Sequence, residues 1–310
     1  MVVRIYGKED EDGNWVRPVP KPEDEFTYQW NSDWADDPTK PILKITKSSM
    51  STFKWCKLQY EFSYLDRRPV DRTDDMLKGT VVHSSWDDFH QDIDIKKIED
   101  STFLDIQEYF TSLFPIDDYT ELTESMATFE AQRFVDSRHQ GMIDTFLPVA
   151  SEEIYNGRIL IHRDTHKKYP LNRDYIVHLQ GIVDKIFIEN GSYIPMELKT
   201  GKWKDSKKTG IRREMAFYKL LMESDENCEF VPITHWGWYF PTSNYIYVEP
   251  VKTRTMNAMK QTLAEMIYAY ELAEFPSSYF HKKCVWCSFQ GICPAAIEAG
   301  LNNNEGDDWF

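Results

Sequence analysis

The spacing of hydrophobic residues changes along the chain from a helical period to the shorter alternating runs of strands. Helical spacing predicts helices at residues 48–65, 79–95, 98–113, 121–139, 209–223 and 253–274. Shorter apolar runs predict strands at residues 144–156, 176–189, 192–200, 233–240 and 244–250. Ser48 or Ser49 is the predicted N-cap of the first helix. The order of elements indicates an α/β (α+β) fold, in which a mixed central sheet is flanked by helices and preceded by a helical layer.

The pair Asn190-Gly191 separates two of the predicted strands and favours a two-residue type I′ turn. Closing the hairpin there places Asp184 directly opposite Glu197, with Cβ atoms about 4.5–5.5 Å apart. Lys199 follows Glu197 by two residues, so it points to the same face. Pro195 cannot donate a ladder hydrogen bond, which predicts an edge position or a bulge. A bulge would shift the pairing by one residue.

Two facing carboxylates repel each other, and a hard divalent cation such as Mg²⁺ or Mn²⁺ relieves that repulsion. Such an ion polarises a phosphoryl oxygen and lowers the pKa of a bound water molecule. The Lys199 amine can position or deprotonate that water, or stabilise charge on the phosphate. The alternative is an exposed cross-strand acidic pair beside a lysine. The pattern favours a metal-dependent phosphodiesterase built on Asp184, Glu197 and Lys199.

Three of the five cysteines, Cys284, Cys287 and Cys293, fall within ten residues in the spacing Cys-x2-Cys-x5-Cys. Thiolates packed so closely repel one another unless a soft metal centre binds them. A closed site needs a fourth thiolate, which Cys56 or Cys228 must supply. Thiolate chemistry alone leaves a Cys₄ zinc site and an iron–sulfur cluster both open. Because the sequence shows no signal peptide or long apolar run, a reducing cytoplasm is the expected compartment.

The net charge of −15 argues against indiscriminate coating of nucleic acid. A local basic stretch nevertheless runs from residue 199 to residue 213, and its tryptophan is a possible platform for an unpaired base. A solvated loop is the alternative interpretation. The residues of this stretch predicted to contact nucleic acid are Lys202, Trp203, Lys204, Lys207, Lys208, Arg212 and Arg213.

Four motifs in the chain resemble those of the PD-(D/E)XK nucleases, and in particular their RecB-like branch. They are Gly79-x-x-x-His83, Gly181-x-x-Asp184, Glu197-x-Lys199-Thr200-Gly201, and the helical stretch 211–222 that contains Tyr218. The chain departs from the pattern at Glu214, where the family has glutamine. An acid there needs a basic neighbour, and Arg212 and Arg213 are the nearest in sequence. The resemblance covers residues 45–297.

This resemblance implies a restriction-endonuclease-like core with His83, Asp184 and Glu197 as ligands of Mg²⁺ or Mn²⁺. The implied catalytic residues are Asp184, Glu197, Lys199 and Tyr218, and Glu153 is a possible supporting acid. Relatives of this type carry a [4Fe-4S] cluster, whose ligands here would be Cys56, Cys284, Cys287 and Cys293. Cys228 would then be a spare thiol. The implied activity is exonucleolytic cleavage of single-stranded DNA ends in repair, recombination or replication.

The chain is expected to divide into five segments. These are an acidic Pro/Trp-containing arm at 1–42 with a small hairpin at its start, a helical region at 43–143, the nuclease core at 144–275, the cysteine segment at 276–298 and an acidic tail at 299–310. The tail is a candidate docking peptide for a replication, recombination or CRISPR-adaptation protein. No membrane partner is expected. Alternative functions are DNA end processing in CRISPR adaptation and an inactive DNA-binding adaptor on the same scaffold.

Overall fold

The structure, a computed structural model, describes residues 6–17, 42–70, 73–115, 119–226, 228 and 231–301. Most of the predicted N-terminal arm and of the acidic tail lies outside these residues. Within the arm, β1 (Lys8–Glu9) and β2 (Trp15–Val16) pair as an antiparallel hairpin. The small hairpin predicted at the start of the chain is therefore confirmed.

Helices occupy all six predicted stretches, with boundaries that differ by a few residues. The helices are α1 (Lys47–Trp55), α2 (Lys57–Tyr60), α3 (Asp74–Asp92), α4 (Phe103–Leu113), α5 (Thr120–His139), α6 (Lys208–Ser224), α7 (Thr253–Leu272), α8 (His281–Cys284) and α9 (Pro294–Glu298). The two short helices α8 and α9 were not predicted. The first predicted helix is interrupted at Cys56, whose backbone is extended between α1 and α2. A π-helical turn, Glu61–Leu65, follows α2.

The N-cap of α1 is Thr46, so the prediction of Ser48 or Ser49 is wrong. The reason is that the strand before α1 continues to Thr46, the last extended residue, which leaves Ser49 at the third helical position. Thr46 and Ser49 form a capping box, in which each side chain bonds the backbone N–H of the other. The helix thus begins two residues earlier than its serines suggest.

The remaining strands form one mixed six-stranded sheet. They are β3 (Ile42–Thr46), β4 (Ala150–Ile161), β5 (Tyr175–Glu189), β6 (Ser192–Leu198), β7 (His235–Phe240) and β8 (Tyr245–Pro250). The order is β3-β5-β6-β7-β8, with β4 also paired to β5. β6 and β7 run parallel, whereas the β5–β6 and β7–β8 pairs are antiparallel. The predicted fold class, a mixed sheet flanked by helices, is confirmed.

The chain divides into two compact units, each built from separated segments. One contains Met1–Asp71, Arg158–Leu179 and Lys260–Phe310, and the other contains Arg72–Gly157 and Gln180–Met259. In the second unit α3, α4 and α5 pack on the sheet around a core of aromatic rings, among them Trp86, Phe89 and Phe110. Met196, Leu198 and Tyr239 bring the sheet into the same core. The five segments expected from sequence stay a prediction.

Candidate functional site

The β5–β6 hairpin has the register that the Asn190-Gly191 pair predicts. Pairing runs from Glu189–Ser192 at the turn to Lys185–Met196, and both turn residues have positive φ, 51° and 72°. These dihedral angles are those of a type I′ turn. No residue is inserted at Pro195, which pairs with Ile186. The predicted register is confirmed.

Pro195 is not at a sheet edge, because β6 lies between β5 and β7. It is not in a bulge either, because the pairing of β6 with β5 continues through it. The N–H of Tyr193, two residues earlier, points away from β5 and donates to the Pro232 carbonyl oxygen at 2.9 Å. The Pro195 nitrogen therefore also points away from β5, and the pairing of β6 with β7 begins only at Met196. The missing donor of Pro195 costs no ladder hydrogen bond.

The backbone pairing of β5 with β6 ends at Lys185–Met196, and beyond it the Asp184 carboxylate serves as a hydrogen-bond acceptor for β6. Its Oδ2 accepts a hydrogen bond of 2.7 Å from the Leu198 N–H. Asp184 and Glu197 are only 4% and 1% exposed. Burying two carboxylates at neighbouring positions is costly unless cations or donors compensate them. The surroundings of the two acids supply both kinds of group.

His83 of α3, Glu152 of β4 and Asp184 of β5 converge at one point. The His83 Nδ1 lies 3.3 Å from Glu152 Oε1 and 3.7 Å from Asp184 Oδ2. One potential ligand atom from each of the three residues lies within 4.8 Å of the other two. Burial opposes the charged form of His83, but its hydrogen bond with Glu152 and the charges of Asp184 and Glu197 raise its pKa. Three acids therefore surround this imidazole.

Glu152 is the residue that sequence reasoning missed, since the acid singled out on this strand was Glu153. Glu153 is exposed and accepts a 2.7 Å hydrogen bond from the Tyr155 hydroxyl. Glu152 has φ +48°, a left-handed conformation that is unusual for a glutamate within a strand. This backbone breaks the alternation of side chains along β4. The sequence signal for a site residue here was the pair of adjacent acids, Glu152 and Glu153, near the start of the strand. Only the backbone conformation decides that Glu152, and not Glu153, faces His83.

Lys199 lies between two carboxylates. Its Nζ is 2.6 Å from Glu197 Oε1 and 2.8 Å from Glu214 Oε2. Burial opposes the ammonium, yet the two carboxylates outweigh it and raise the pKa of Lys199 above its ordinary value. A basic neighbour of Glu214 is thus Lys199, which the sequence did not indicate. Arg212 instead pairs with Glu249.

Tyr218 of α6 supports Glu197 from the other side. Burial raises the pKa of this tyrosine, followed by the charges of Glu197 and Asp184, so the hydroxyl is protonated at neutral pH and bonds to Glu197. Glu197 is therefore held by both Lys199 and Tyr218. The four residues predicted as catalytic, Asp184, Glu197, Lys199 and Tyr218, are brought together with His83.

The basic stretch after Lys199 makes several contacts within the protein. Trp203 stacks on Tyr245, with ring centroids 4.6 Å apart. Lys207 donates to the Lys202 carbonyl oxygen at 2.7 Å, and the Lys208 ammonium lies 4.4 Å from the Tyr247 ring centroid. A role of this stretch in nucleic-acid binding stays a prediction.

Four cysteines line one cavity of about 30 Å³ in the first unit, namely Cys56, Cys284, Cys287 and Cys293. Burial raises the pKa of the Cys287 thiol, and the other three thiols add to the rise. No three of these sulfur atoms, all in described parts of the chain, lie within 4.8 Å of one another. Tetrahedral zinc with Zn–S bonds of about 2.3 Å would hold them about 3.8 Å apart. The four thiols thus share one cavity lining without the close packing of a metal-bound set.

No helix within the described ranges is long and apolar enough to cross a membrane.

A protein-family model matches most of this chain. The family model of the PD-(D/E)XK nuclease superfamily matches residues 44–294. A search of curated proteins finds no match. Among solved structures, one titled "Crystal structure of SSO0001" is similar at 13% identity over 82% of this chain and 87% of that chain, with a TM-score of 0.35. Since the family match covers most of the chain, the protein belongs to the PD-(D/E)XK nuclease superfamily, whose members are metal-dependent nucleases.

Proposed function

We propose that the protein is a deoxyribonuclease that binds Mg²⁺ or Mn²⁺ through His83, Glu152 and Asp184, with Glu197 beside them. The observation that carries this proposal is the convergence of one imidazole and two carboxylates within 4.8 Å. Hard divalent cations prefer oxygen ligands, and Mn²⁺ also accepts imidazole nitrogen. The buried charges of Asp184 and Glu197 give the site a further need for a cation. The donor set therefore fits such an ion.

When bound, the ion would polarise the phosphate and acidify a coordinated water molecule. Lys199 is an ammonium at neutral pH, because its pKa is raised by Glu197 and Glu214 against the effect of burial. It cannot accept a proton in that state, so it serves as a hydrogen-bond donor to the attacking water or to the phosphate oxygens. Tyr218 holds Glu197 in place. Of the roles considered for Lys199, positioning and charge stabilisation are favoured over deprotonation.

The test compares Glu152→Gln with the matched neighbour variant Glu153→Gln. Each protein is titrated with Mn²⁺ by calorimetry and incubated with end-labelled single- and double-stranded DNA. We expect Glu152→Gln, His83→Ala and Asp184→Asn to lose most metal affinity and cleavage, whereas Glu153→Gln resembles the wild type because its side chain bonds Tyr155. Equal metal binding by Glu152→Gln and the wild type would remove Glu152 from the site. Absence of cleavage with every metal would favour the inactive adaptor.

We further propose that the enzyme acts from single-stranded DNA ends and serves repair, recombination or replication, an assignment supported by the RecB-like motifs. End-dependence is tested with circular single-stranded DNA beside the same molecule made linear. An exonuclease degrades the linear form and leaves the circle intact. Cleavage of the circle would indicate an endonuclease instead.

We also propose that Cys56, Cys284, Cys287 and Cys293 hold a [4Fe-4S] cluster. Their shared cavity supports a common thiolate-bound centre, and the resemblance to cluster-bearing RecB-like nucleases favours an iron–sulfur cluster over zinc. The four thiols lie at the α1–α2 junction, at the end of α8 and in the segment that leads from α8 to α9. Such a cluster would tie chain segments that are more than two hundred residues apart in sequence.

A further inference from the structure

Lys185 is a fully buried lysine on β5, with 0% of its surface exposed. Its Nζ donates to Asp87 Oδ1 at 2.7 Å and to Ser151 Oγ at 2.8 Å. It also lies 5.3 Å from the centroid of the Trp86 ring, a cation–π contact. A carboxylate, a hydroxyl and an aromatic face thus surround its three donors. Burying an ammonium without such partners would be strongly unfavourable.

The partners of Lys185 stand beside the candidate metal ligands. Asp87 follows His83 by four residues on α3, which places both on one side of that helix. Ser151 directly precedes Glu152 on β4. Asp184 directly precedes Lys185 on β5. One ammonium therefore connects the three elements that each carry one member of the His83, Glu152 and Asp184 set.

The backbone conformation of Glu152 requires support from neighbouring contacts, and Lys185 provides one of them. A glutamate at φ +48° is strained and persists only where surrounding contacts enforce it. One such contact is the hydrogen bond from the Val149 N–H to the Ile186 carbonyl oxygen, at 2.7 Å. The other is the Lys185–Ser151 hydrogen bond, one residue before the strained position. Together they fix the start of β4 on β5.

We propose that Lys185 is a positioning residue that sets the spacing of His83, Glu152 and Asp184 for a divalent cation. This inference rests on the proposed function, because it assumes that those three residues bind the metal. The competing explanation is that Lys185 only neutralises buried charge and supports the fold. The two explanations differ in what happens when both charges of the Lys185–Asp87 pair are removed together.

The double variant Lys185→Met/Asp87→Asn removes both charges at similar side-chain volume, and so leaves no buried charge unpaired. Replacing a buried ion pair in this way is often neutral for stability. We expect its melting temperature to stay close to that of the wild type, while its Kd for Mn²⁺ rises about tenfold or more, as happens when groups that orient metal ligands are lost. Calorimetric titration of the full-length protein with MnCl₂, without DNA, measures this. Lys54→Met, which removes a lysine paired with Glu265 in the other unit, is the control and should bind Mn²⁺ normally.

Ser151→Ala is a milder variant that removes one hydrogen bond and no charge. It should fold, and its Kd for Mn²⁺ should rise by a smaller factor than that of the double variant. Wild-type affinity in both Ser151→Ala and a folded double variant would overturn the positioning role. If His83→Ala and Asp184→Asn also keep wild-type affinity for Mn²⁺, the metal site itself is misassigned. That result is distinct from one in which only the positioning role of Lys185 fails.

Discussion

Lys199 shows how a single side chain gains its role from residues far away in the sequence. Its Nζ contacts Glu197, two residues earlier near the end of β6, and Glu214 on α6. The sequence places Lys199 and Glu197 on the same face of one strand, but it does not indicate the pairing with Glu214. That contact keeps the ammonium charged and directs it within the site. The sequence therefore identified Lys199 as a candidate catalytic residue, but it did not identify Glu214 as its partner.

Replacing Lys199 with glutamine should reduce cleavage about a hundredfold or more, because loss of one donor to a developing negative charge commonly has that effect. The Kd for Mn²⁺ should change little, since Lys199 is not one of the three converging ligands. Single-turnover cleavage at saturating Mn²⁺ measures the first quantity, and calorimetry measures the second.

Glu214→Gln is the companion variant, because it keeps a hydrogen-bond acceptor near Lys199 and removes only the charge. Its cleavage should fall less than about tenfold, as Glu197 still holds the ammonium. A Lys199→Gln protein that cleaves at the wild-type rate would contradict the role given to the lysine.

At the scale of elements, Glu249 joins β8 to α6. Its carboxylate accepts hydrogen bonds from Arg212 and from the Trp236 indole at 3.3 Å. Burial opposes the charge, yet the hydrogen bonds from Arg212 and Trp236 outweigh it and lower the pKa of Glu249 from 4.5 to about 2. Its depressed pKa means that the ionised carboxylate stabilises the folded state.

Glu249→Gln should therefore lower the free energy of unfolding by about 1–3 kcal/mol at pH 7, the usual contribution of a hydrogen bond to a charged group. The difference from the wild type should be complete above about pH 4.5 and should shrink as the pH falls toward 2, where the wild-type carboxyl takes up a proton. Urea unfolding at pH 7 and at lower pH measures it.

Glu223→Gln is the matched control, because it breaks a surface pair with Lys219 on the same helix. Exposed helical pairs of this kind contribute about 0.5 kcal/mol or less. A Glu249 effect no larger than this control would show that the buried pair does not stabilise the contact between α6 and β8.

At the scale of the whole molecule, four cysteines from two stretches far apart in the chain line one cavity within one unit. Cross-linking residues so far apart in sequence lowers the entropy of the unfolded chain. Cys56 lies in the extended backbone between α1 and α2, which interrupts the helix that the sequence pattern predicts.

Cys56→Ser should abolish the iron content and the broad absorbance at roughly 400 nm expected of protein purified without oxygen. It should also lower the free energy of unfolding by on the order of 4 kcal/mol, the effect of losing a cross-link across a long loop. Iron analysis, absorbance and thermal unfolding measure these changes.

Cys228→Ser is the control, since Cys228 does not line the cavity. Zinc rather than iron in the purified protein would rule out the cluster and keep the four-cysteine site. Equal metal content in Cys56→Ser and the wild type would remove Cys56 from the ligand set.

By itself the sequence determined the order of the long helices and of strands β4 to β8, the register of the β5–β6 hairpin and the placement of Asp184, Glu197 and Lys199 along it, whereas β3, α8 and α9 were not predicted. These follow from hydrophobic period and turn chemistry, which are local properties. Only the tertiary structure decided that Glu152 rather than Glu153 joins His83, that Glu214 holds Lys199, and that Lys185 links three elements. Such contacts join residues distant in sequence, and they depend on a strained backbone and on burial that no local pattern records.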